Sequence, residues 1–259
     1  MNDWIAHNVL GMPALASANG KAVDDLIVYV HWLMLLLFIG WIAYFGYVLW
    51  RFNARRNPRA SYEGSKSRVP SMVELAVVVV EGVLLLGFAI PMWAKNVDKF
   101  PSPDESTVIQ IVAQQYAWNF RYPGQDGVFG RQDMKFVSET NVFGVDPADP
   151  HGKDDIQLQD VQDDMHVPVN KPVLIYLSSK DVIHSLKLVA MRLTQDAIPG
   201  LRIPCTFTPT KIGRYQVECA QLCGPGHSTM SHGFVAVVSQ DDYAAWLKSK
   251  EPVPKQSFE

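Results

Sequence analysis

Residues 217–230 read VECAQLCGPGHSTM and gather two thiols, an imidazole and a thioether, Cys219, Cys223, His227 and Met230, around a Gly-Pro-Gly turn. Thiolate and thioether are soft donors that favour copper, imidazole serves copper or zinc, and a methionine beside cysteine and histidine marks electron-transfer copper. Zinc rarely takes a thioether, so Met230 counts against a structural zinc site. A Cys219–Cys223 disulfide is the simpler reading in an oxidising compartment. It would close a very small ring, with little entropic gain, and would leave His227 and Met230 without a role. One cysteine would indicate a mononuclear blue-copper site, whereas two indicate a pair of coppers bridged by both sulfurs. Each copper then wants its own imidazole, and His184, in SSKDVIHSLKL, is the candidate. Blue-copper sandwiches take their ligands in this order, one histidine early and the rest from a late loop.

The remaining candidates are weaker. Cys205 sits in RIPCTFT on an apparent strand and reads as a small buried hydrophobe. His151 and His166 fall in a polar stretch and read as solvated, His232 reads as facing away, and His7 and His31 have weaker claims than His184.

Such a loop needs a rigid scaffold, and the 259 residues divide into parts of different character. Leu26 to Trp50 contains no acid, lysine or arginine; as a helix it spans roughly 37 Å, enough to cross a hydrocarbon core of about 30 Å. Leu75 to Trp93 is a second such run despite Glu81. PALASA, from Pro13, resembles a signal-peptide cleavage site, but the apolar run follows it and is longer than a signal sequence carries. Between the two runs Arg51, Arg55, Arg56, Arg59, Lys66 and Arg68 face the single acid Glu63. By the positive-inside bias this connection is cytoplasmic and both termini lie on the other side. The alternative of a nucleic-acid patch is set aside because membrane spans flank it.

From Lys99 onward the chain reads as short strands between turn signals: STVIQIVAQQYAWNFRYPG, KPVLIYLSS, HSLKLVA, IPCTFTPTKIG, RYQVECA and GFVAVVS. Such a series predicts a sandwich or barrel. DDYAAWLK, from Asp241, reads as a short helix with its charges matching the dipole. Residues 124–164 are rich in Gly, Asp and Pro and read as a long polar excursion without apolar period. The expected architecture is an N-terminal transmembrane α-helical hairpin followed by an all-β sandwich or barrel. Its divisions are residues 1–24 outside the membrane, the hairpin 25–98, the β domain 99–249 and a tail 250–259.

The stretches VNKPVLIYLSSKDVIHSLKL, QDAIPG, FTPTKIGRYQVECAQLCGPGHSTM and QQYAWNFRYPG, after a two-helix hairpin, resemble subunit II of haem-copper cytochrome c oxidase over residues 25–248. The resemblance implies a cupredoxin domain holding the dinuclear copper A (CuA) centre. By position Cys219 and Cys223 bridge the metals, His184 and His227 each supply a nitrogen, Met230 is a weak axial ligand and Gln221 offers its backbone carbonyl. It further implies an electron-receiving subunit of a proton-translocating terminal oxidase in a membrane such as the bacterial inner membrane, with the β domain on the periplasmic side. Oxygen reduction takes place at haem and copper in subunit I. The family usually has glutamate at the position of Gln221, where it also binds magnesium shared with subunit I; a neutral amide is a poorer ligand, so magnesium is not expected here. The family's electron-receiving tryptophan is Tyr116 in this chain, with Trp118 following, and Trp118 reads also as a core aromatic. Glu74 aligns with a glutamate at the mouth of a proton path, and Glu81, two turns deeper, is costly in a membrane and is expected to face subunit I.

Expected partners are therefore subunit I and other oxidase subunits, membrane lipid, and cytochrome c or a neighbouring respiratory complex as donor. No nucleic acid is expected, and no C-x-x-C-H motif for attached haem is present. The acids of the excursion, Asp126, Asp133, Glu139, Asp146, Asp149, Asp154, Asp155, Asp160, Asp163 and Asp164, would steer a basic donor if they stand free. Three other readings compete: a quinol oxidase subunit, which lacks the copper ligands; a copper chaperone or thiol oxidoreductase, which has no use for Met230; and a nitrous-oxide reductase domain, which lacks the hairpin.

Overall fold

The computed structural model describes residues 2–59, 62–64, 66–159 and 164–250. Asp160, Asp163 and the tail beyond Lys250 lie outside the described residues. Two compact units separate, one containing residues 22–95 and the other residues 13–21 together with those from 96 onward.

In the helical unit a short helix α1 (Asn2–Asn8) precedes α2 (Gly20–Arg51). The second apolar run is α3 (Val69–Leu84), a π-helical turn over Leu85–Ala89, and α4 (Ile90–Val97). The π turn appears where Ile90 N–H reaches back to Leu85 O. Pro91 follows directly, and a proline that lacks an N–H disturbs the regular ladder at that place. Both runs are long and apolar enough to cross a membrane, and their side chains are almost wholly exposed. A lipid-facing helix looks like this, since no protein core covers it.

Two five-stranded sheets make up the β unit. One runs in the order β3 (Ile156–Leu158), β2 (Ala117–Tyr122), β1 (Thr107–Gln114), β5 (Val173–Ser179), β8 (Ile203–Phe207). The other runs β4 (Met165–Pro168), β10 (Gly233–Val238), β9 (Gly213–Cys219), β6 (His184–Leu188), β7 (Leu193–Ala197). Inward side chains from both, among them Ile109, Ile111, Trp118, Phe120, Leu177, Leu186, Val217 and Val235, form one buried cluster. The apolar alternation drives this, because each strand hides one face against the opposite sheet. Helix α5 (Gln240–Lys250) closes the unit, with Trp246 lying edge-on to Tyr122 at 5.0 Å. Residues 13–21 also belong to this unit: Ala16 N–H bonds Ala190 O, Ala18 N–H bonds Thr208 O, Thr210 N–H returns to Ala16 O, and Ser17 is buried with its Oγ on Met191 O at 2.7 Å.

The excursion over 124–164 departs from the polar, unorganised stretch expected. Its Ile156–Leu158 adds strand β3 to β2, and Val142, Phe143 and Val145 pack with Val112 into a small second core. Alternation in β2 places Asn119 and Arg121 opposite Trp118, Phe120 and Tyr122, yet all six residues are buried. The cause is a polar network under the excursion. Arg121 gives Nε to Asp155 at 3.0 Å, Nη1 to Gln110 Oε1 at 3.1 Å and Nη2 to Gly130 O at 2.9 Å. Gln110 continues to Gln132, which donates to Phe143 O. Burial pushes the Asp155 carboxyl up against the pull of Arg121. His166 also departs from its solvated reading, since it lies on β4 and stacks on Trp246 at 4.5 Å.

Removing one member of a buried ion pair leaves an uncompensated charge, whereas removing both can be nearly neutral. Arg121→Ala should therefore destabilise the chain by about 3–5 kcal/mol, and Arg121→Met with Asp155→Leu should recover most of that loss. Denaturant unfolding of the detergent-solubilised full chain, followed by near-UV circular dichroism, measures both.

Candidate metal centre

Strands β6 and β9 run side by side, with Leu186 opposite Cys219 and Lys187 opposite Glu218. Ala220 N–H extends the contact to Ser185 O at 2.9 Å. This register brings His184, at the start of β6, against Cys219, at the end of β9. The β9–β10 hairpin then supplies the rest, because its connection holds Cys223 and a 3-10 segment, His227–His232, that carries His227 and Met230.

The donor atoms converge. Cys219 Sγ lies 3.9 Å from His184 Nδ1 and 3.1 Å from Gln221 O. Cys223 Sγ lies 3.5 Å from His227 Nδ1 and 3.5 Å from Met230 Sδ. The donor atoms of His184, Cys219 and Cys223 all fall within 4.8 Å of one another. His184, Cys223 and Met230 are buried, Cys219 and His227 are half-buried, and the Gln221 side chain is exposed although its carbonyl points to the cluster. Both loop cysteines are free thiols, so no disulfide competes for the sulfurs.

Asp181 sets the His184 ring. The Nε2 of His184 donates to Asp181 Oδ1 at 2.9 Å, which leaves the Nδ1 lone pair facing the sulfurs. The same carboxylate accepts the N–H of Gln115 and of Val182, both at 2.7 Å. Burial raises the Asp181 carboxyl, but the bonds from Gln115, His184 and Val182 outweigh it and the group titrates below its ordinary range. Burial, and then the neighbouring Cys219, push the Cys223 thiol up to about 11. A thiol so placed becomes a thiolate at neutral pH only beside a positive charge, and with two sulfurs, two imidazoles, a thioether and a carbonyl the donor set suits copper.

Neighbouring side chains brace the loop. Trp118 is fully buried, donates Nε1 to Met230 O at 3.1 Å and stands 6.3 Å from the His184 ring. Gln115 Nε2 donates to Cys223 O at 2.6 Å. Tyr116 is half-buried and lies on the Gly-Pro-Gly turn, where a Cβ on Gly224 would come within 2.5 Å of Tyr116 Oη. Sequence reasoning missed Asp181 and Gln115. The acid three residues before His184 was visible in SSKDVIH, but nothing local ties Gln115 to a loop 108 residues away.

Other candidates lie elsewhere. Cys205 is buried on β8 with its thiol pushed up to about 12 by burial, and it does not join the cluster. His151 is exposed and bonded to Asp126, and exposed His232 lines the opening beside Tyr116. Glu74 and Glu81 stand on α3 seven residues apart and thus on one helical face, both exposed.

Residues 107–237 match the family model described as cytochrome c oxidase subunit II, periplasmic domain. The chain is 31% identical over 236 residues to the alternative cytochrome c oxidase subunit 2 of Bradyrhizobium diazoefficiens, covering 91% of this chain and 82% of that protein. It is 29% identical over 245 residues to cytochrome c oxidase subunit 2 of Cereibacter sphaeroides, covering 85% and 75%. Among solved structures, the periplasmic domain of subunit II of cytochrome oxidase of Bradyrhizobium japonicum aligns at a TM-score of 0.42 and 26% identity, covering 59% of this chain and 96% of that one.

The contact between Tyr116 and the turn is open to a direct test. Gly226 has φ −91°, which any residue adopts, yet a Cβ there would sit 2.7 Å from Tyr116 Cγ. Gly226→Ala should destabilise the chain by about 1–3 kcal/mol through overpacking, and the effect should largely vanish in a Tyr116→Ala background. A double-mutant cycle on unfolding free energies reads the coupling.

Proposed function

The chain belongs to the cytochrome c oxidase subunit II family, and from that membership we propose that its loop holds the dinuclear CuA centre. There it accepts electrons from a cytochrome c and passes them to haem in subunit I, where oxygen is reduced to water with proton translocation. The observation that carries this reading is the convergence of His184 Nδ1, both sulfurs, His227 Nδ1, Met230 Sδ and Gln221 O at one loop. When bound, the copper pair supplies a one-electron acceptor whose charge is spread over two metals and two sulfurs.

The chain's own residues then have distinct tasks. Cys219 and Cys223 would hold the copper as thiolates, His184 and His227 would each offer it a nitrogen, and Met230 Sδ and the Gln221 carbonyl would complete the donor set. Asp181 fixes the His184 ring, while Trp118 and Gln115 hold the main chain at Met230 and Cys223. Ligands held in this way move little when charge arrives, which keeps reorganisation small. Tyr116 is the receiving point for the electron, because it is half-buried and packs on the turn between Cys223 and His227. Buried Trp118 is a brace behind the ligands. The arginine-rich connection between the helices supports a cytoplasmic position for that connection and a periplasmic one for the β domain.

Metal analysis of the copper-loaded chain should give two coppers per chain and an EPR pattern of one electron shared between two copper nuclei. Cys219→Ser or Cys223→Ser should abolish both signals. Loss of the carboxylate behind a metal-bound histidine weakens binding about 10–100-fold, so Asp181→Ala should lower copper affinity by that factor in a competition titration. A chain with intact cysteines that binds a single copper, or none, would overturn the reading.

A further inference from the structure

The connection that follows α2 carries a charge its own acids do not balance. Between Arg51 and Arg68 the six cations Arg51, Arg55, Arg56, Arg59, Lys66 and Arg68 stand against one acid, Glu63, a net charge of +5. Among the described residues none of the six pairs with a carboxylate. A count of positive charges is enough to orient a chain in a bilayer, and it asks for no particular arrangement of them. Here the arrangement is nevertheless fixed.

Two asparagines fix it. Asn53 Oδ1 accepts the N–H of Arg55 at 2.9 Å and of Arg56 at 3.2 Å, while Asn53 O accepts those of Arg56 at 3.0 Å and Asn57 at 2.9 Å. An asparagine that bonds the backbone two residues on holds a turn of this kind. Asn57 closes the ring, since its Nδ2 donates to Arg51 O and its Oδ1 accepts Arg51 Nη1 at 2.9 Å. The turn thereby lays the Arg56 guanidinium over the Trp50 ring at 4.1 Å, and Arg51 stands 5.4 Å from the Phe52 ring. Tyr47 lies 6.4 Å from Trp50, and all three rings are exposed at the end of the apolar run.

Aromatic rings at the end of a membrane-crossing helix sit at headgroup depth, beside the lipid phosphates. Of the five N–H donors on each guanidinium, Arg51 gives one to Asn57, and Arg56 gives none to another described residue. Water can satisfy such donors singly, whereas a phosphodiester accepts two at once and cancels charge.

We infer that this turn binds the phosphodiester of an anionic glycerophospholipid, with Arg56 and Arg51 as its donors and Trp50 as the platform that holds Arg56. An anionic headgroup such as phosphatidylglycerol fits better than zwitterionic phosphatidylcholine, because choline brings a further cation to a connection with a surplus of +5. The site depends on the two helices crossing a membrane and is independent of the copper reading.

The full chain, purified in detergent and freed of lipid, is titrated with dioleoylphosphatidylglycerol or dioleoylphosphatidylcholine, and native mass spectrometry reads the dissociation constant of the first bound lipid. Phosphatidylglycerol should bind at least about tenfold more tightly. Arg51→Lys with Arg56→Lys keeps every charge and should lower that affinity about tenfold, because an ammonium offers neither the planar fork nor the stack. Trp50→Leu, which leaves all the donors in place, should lower it about threefold. Arg59→Lys with Arg68→Lys, outside the turn, should stay within about twofold, since charge without bidentate geometry is preserved by lysine. Inorganic phosphate at about 10 mM, too dilute to screen the arginines strongly, should leave the lipid bound. Displacement of the lipid by phosphate, with phosphate retained by the lipid-free chain, would identify a soluble anion as the ligand and overturn the lipid assignment. Equal affinity for the two lipids, or a preference kept in full by both the double lysine variant at Arg51 and Arg56 and by Trp50→Leu, overturns the site itself.

Discussion

The centre depends on one ladder. His184 and Cys219 are 35 residues apart and meet because β6 and β9 are hydrogen-bonded neighbours in a register that puts Leu186 across from Cys219. A slip of one residue would turn Cys219 to the opposite face and separate it from the histidine. That register is held from inside, since Leu186 and Val217 are wholly buried and cannot exchange faces with Lys187 and Glu218. Apolar burial therefore decides where a soft donor stands, and the loop only has to bring the remaining ligands to it.

Asp181 extends that constraint from one sheet to the other. Its carboxylate holds His184 at the head of β6 and the main-chain N–H of Gln115 in the β1–β2 turn, and Gln115 in turn holds Cys223 O. A shift of the β1–β2 turn would pull on both the histidine and the cysteine loop. The same turn carries Tyr116, so the ring closest to the Gly-Pro-Gly segment is positioned by the bonds that orient the ligands. Charge elsewhere in the domain follows the same rule of local compensation: Arg121 is buried, and a carboxylate, an amide and a carbonyl satisfy its nitrogens.

Much of this was legible in the sequence, for reasons of range. Cys219, Cys223, His227 and Met230 fall within one loop, so their spacing alone announces soft-metal chemistry, and His184 follows from the need for a second nitrogen. The apolar runs and most strands follow from period. What escaped was long-range or polar. Arg121 and Asn119 look like the wet face of an alternating strand and are buried only because a segment 20 to 35 residues later folds over them. Strands β4 and β7 are short and contain His166, Gln195 and Asp196, so neither has an apolar signature. Which acids of 124–164 meet a base was likewise hidden, because Arg121, which holds Asp155, and Arg214, which holds Asp164, lie outside that stretch and no composition count can pair them.

The strap at residues 13–21 fixes the topology of the chain by parity. Its backbone groups at Ala16 and Ala18 are hydrogen-bonded to Ala190, Thr208 and Thr210, which belong to the β unit and follow 174 to 194 residues later in the chain. Hydrogen bonds of this kind cannot form across a lipid bilayer, so the polypeptide between strap and sheet must cross an even number of times. The out-and-back path is thus written into the β unit, and a chain with either apolar helix deleted would hold the strap on the wrong side of the membrane from the strands it bonds.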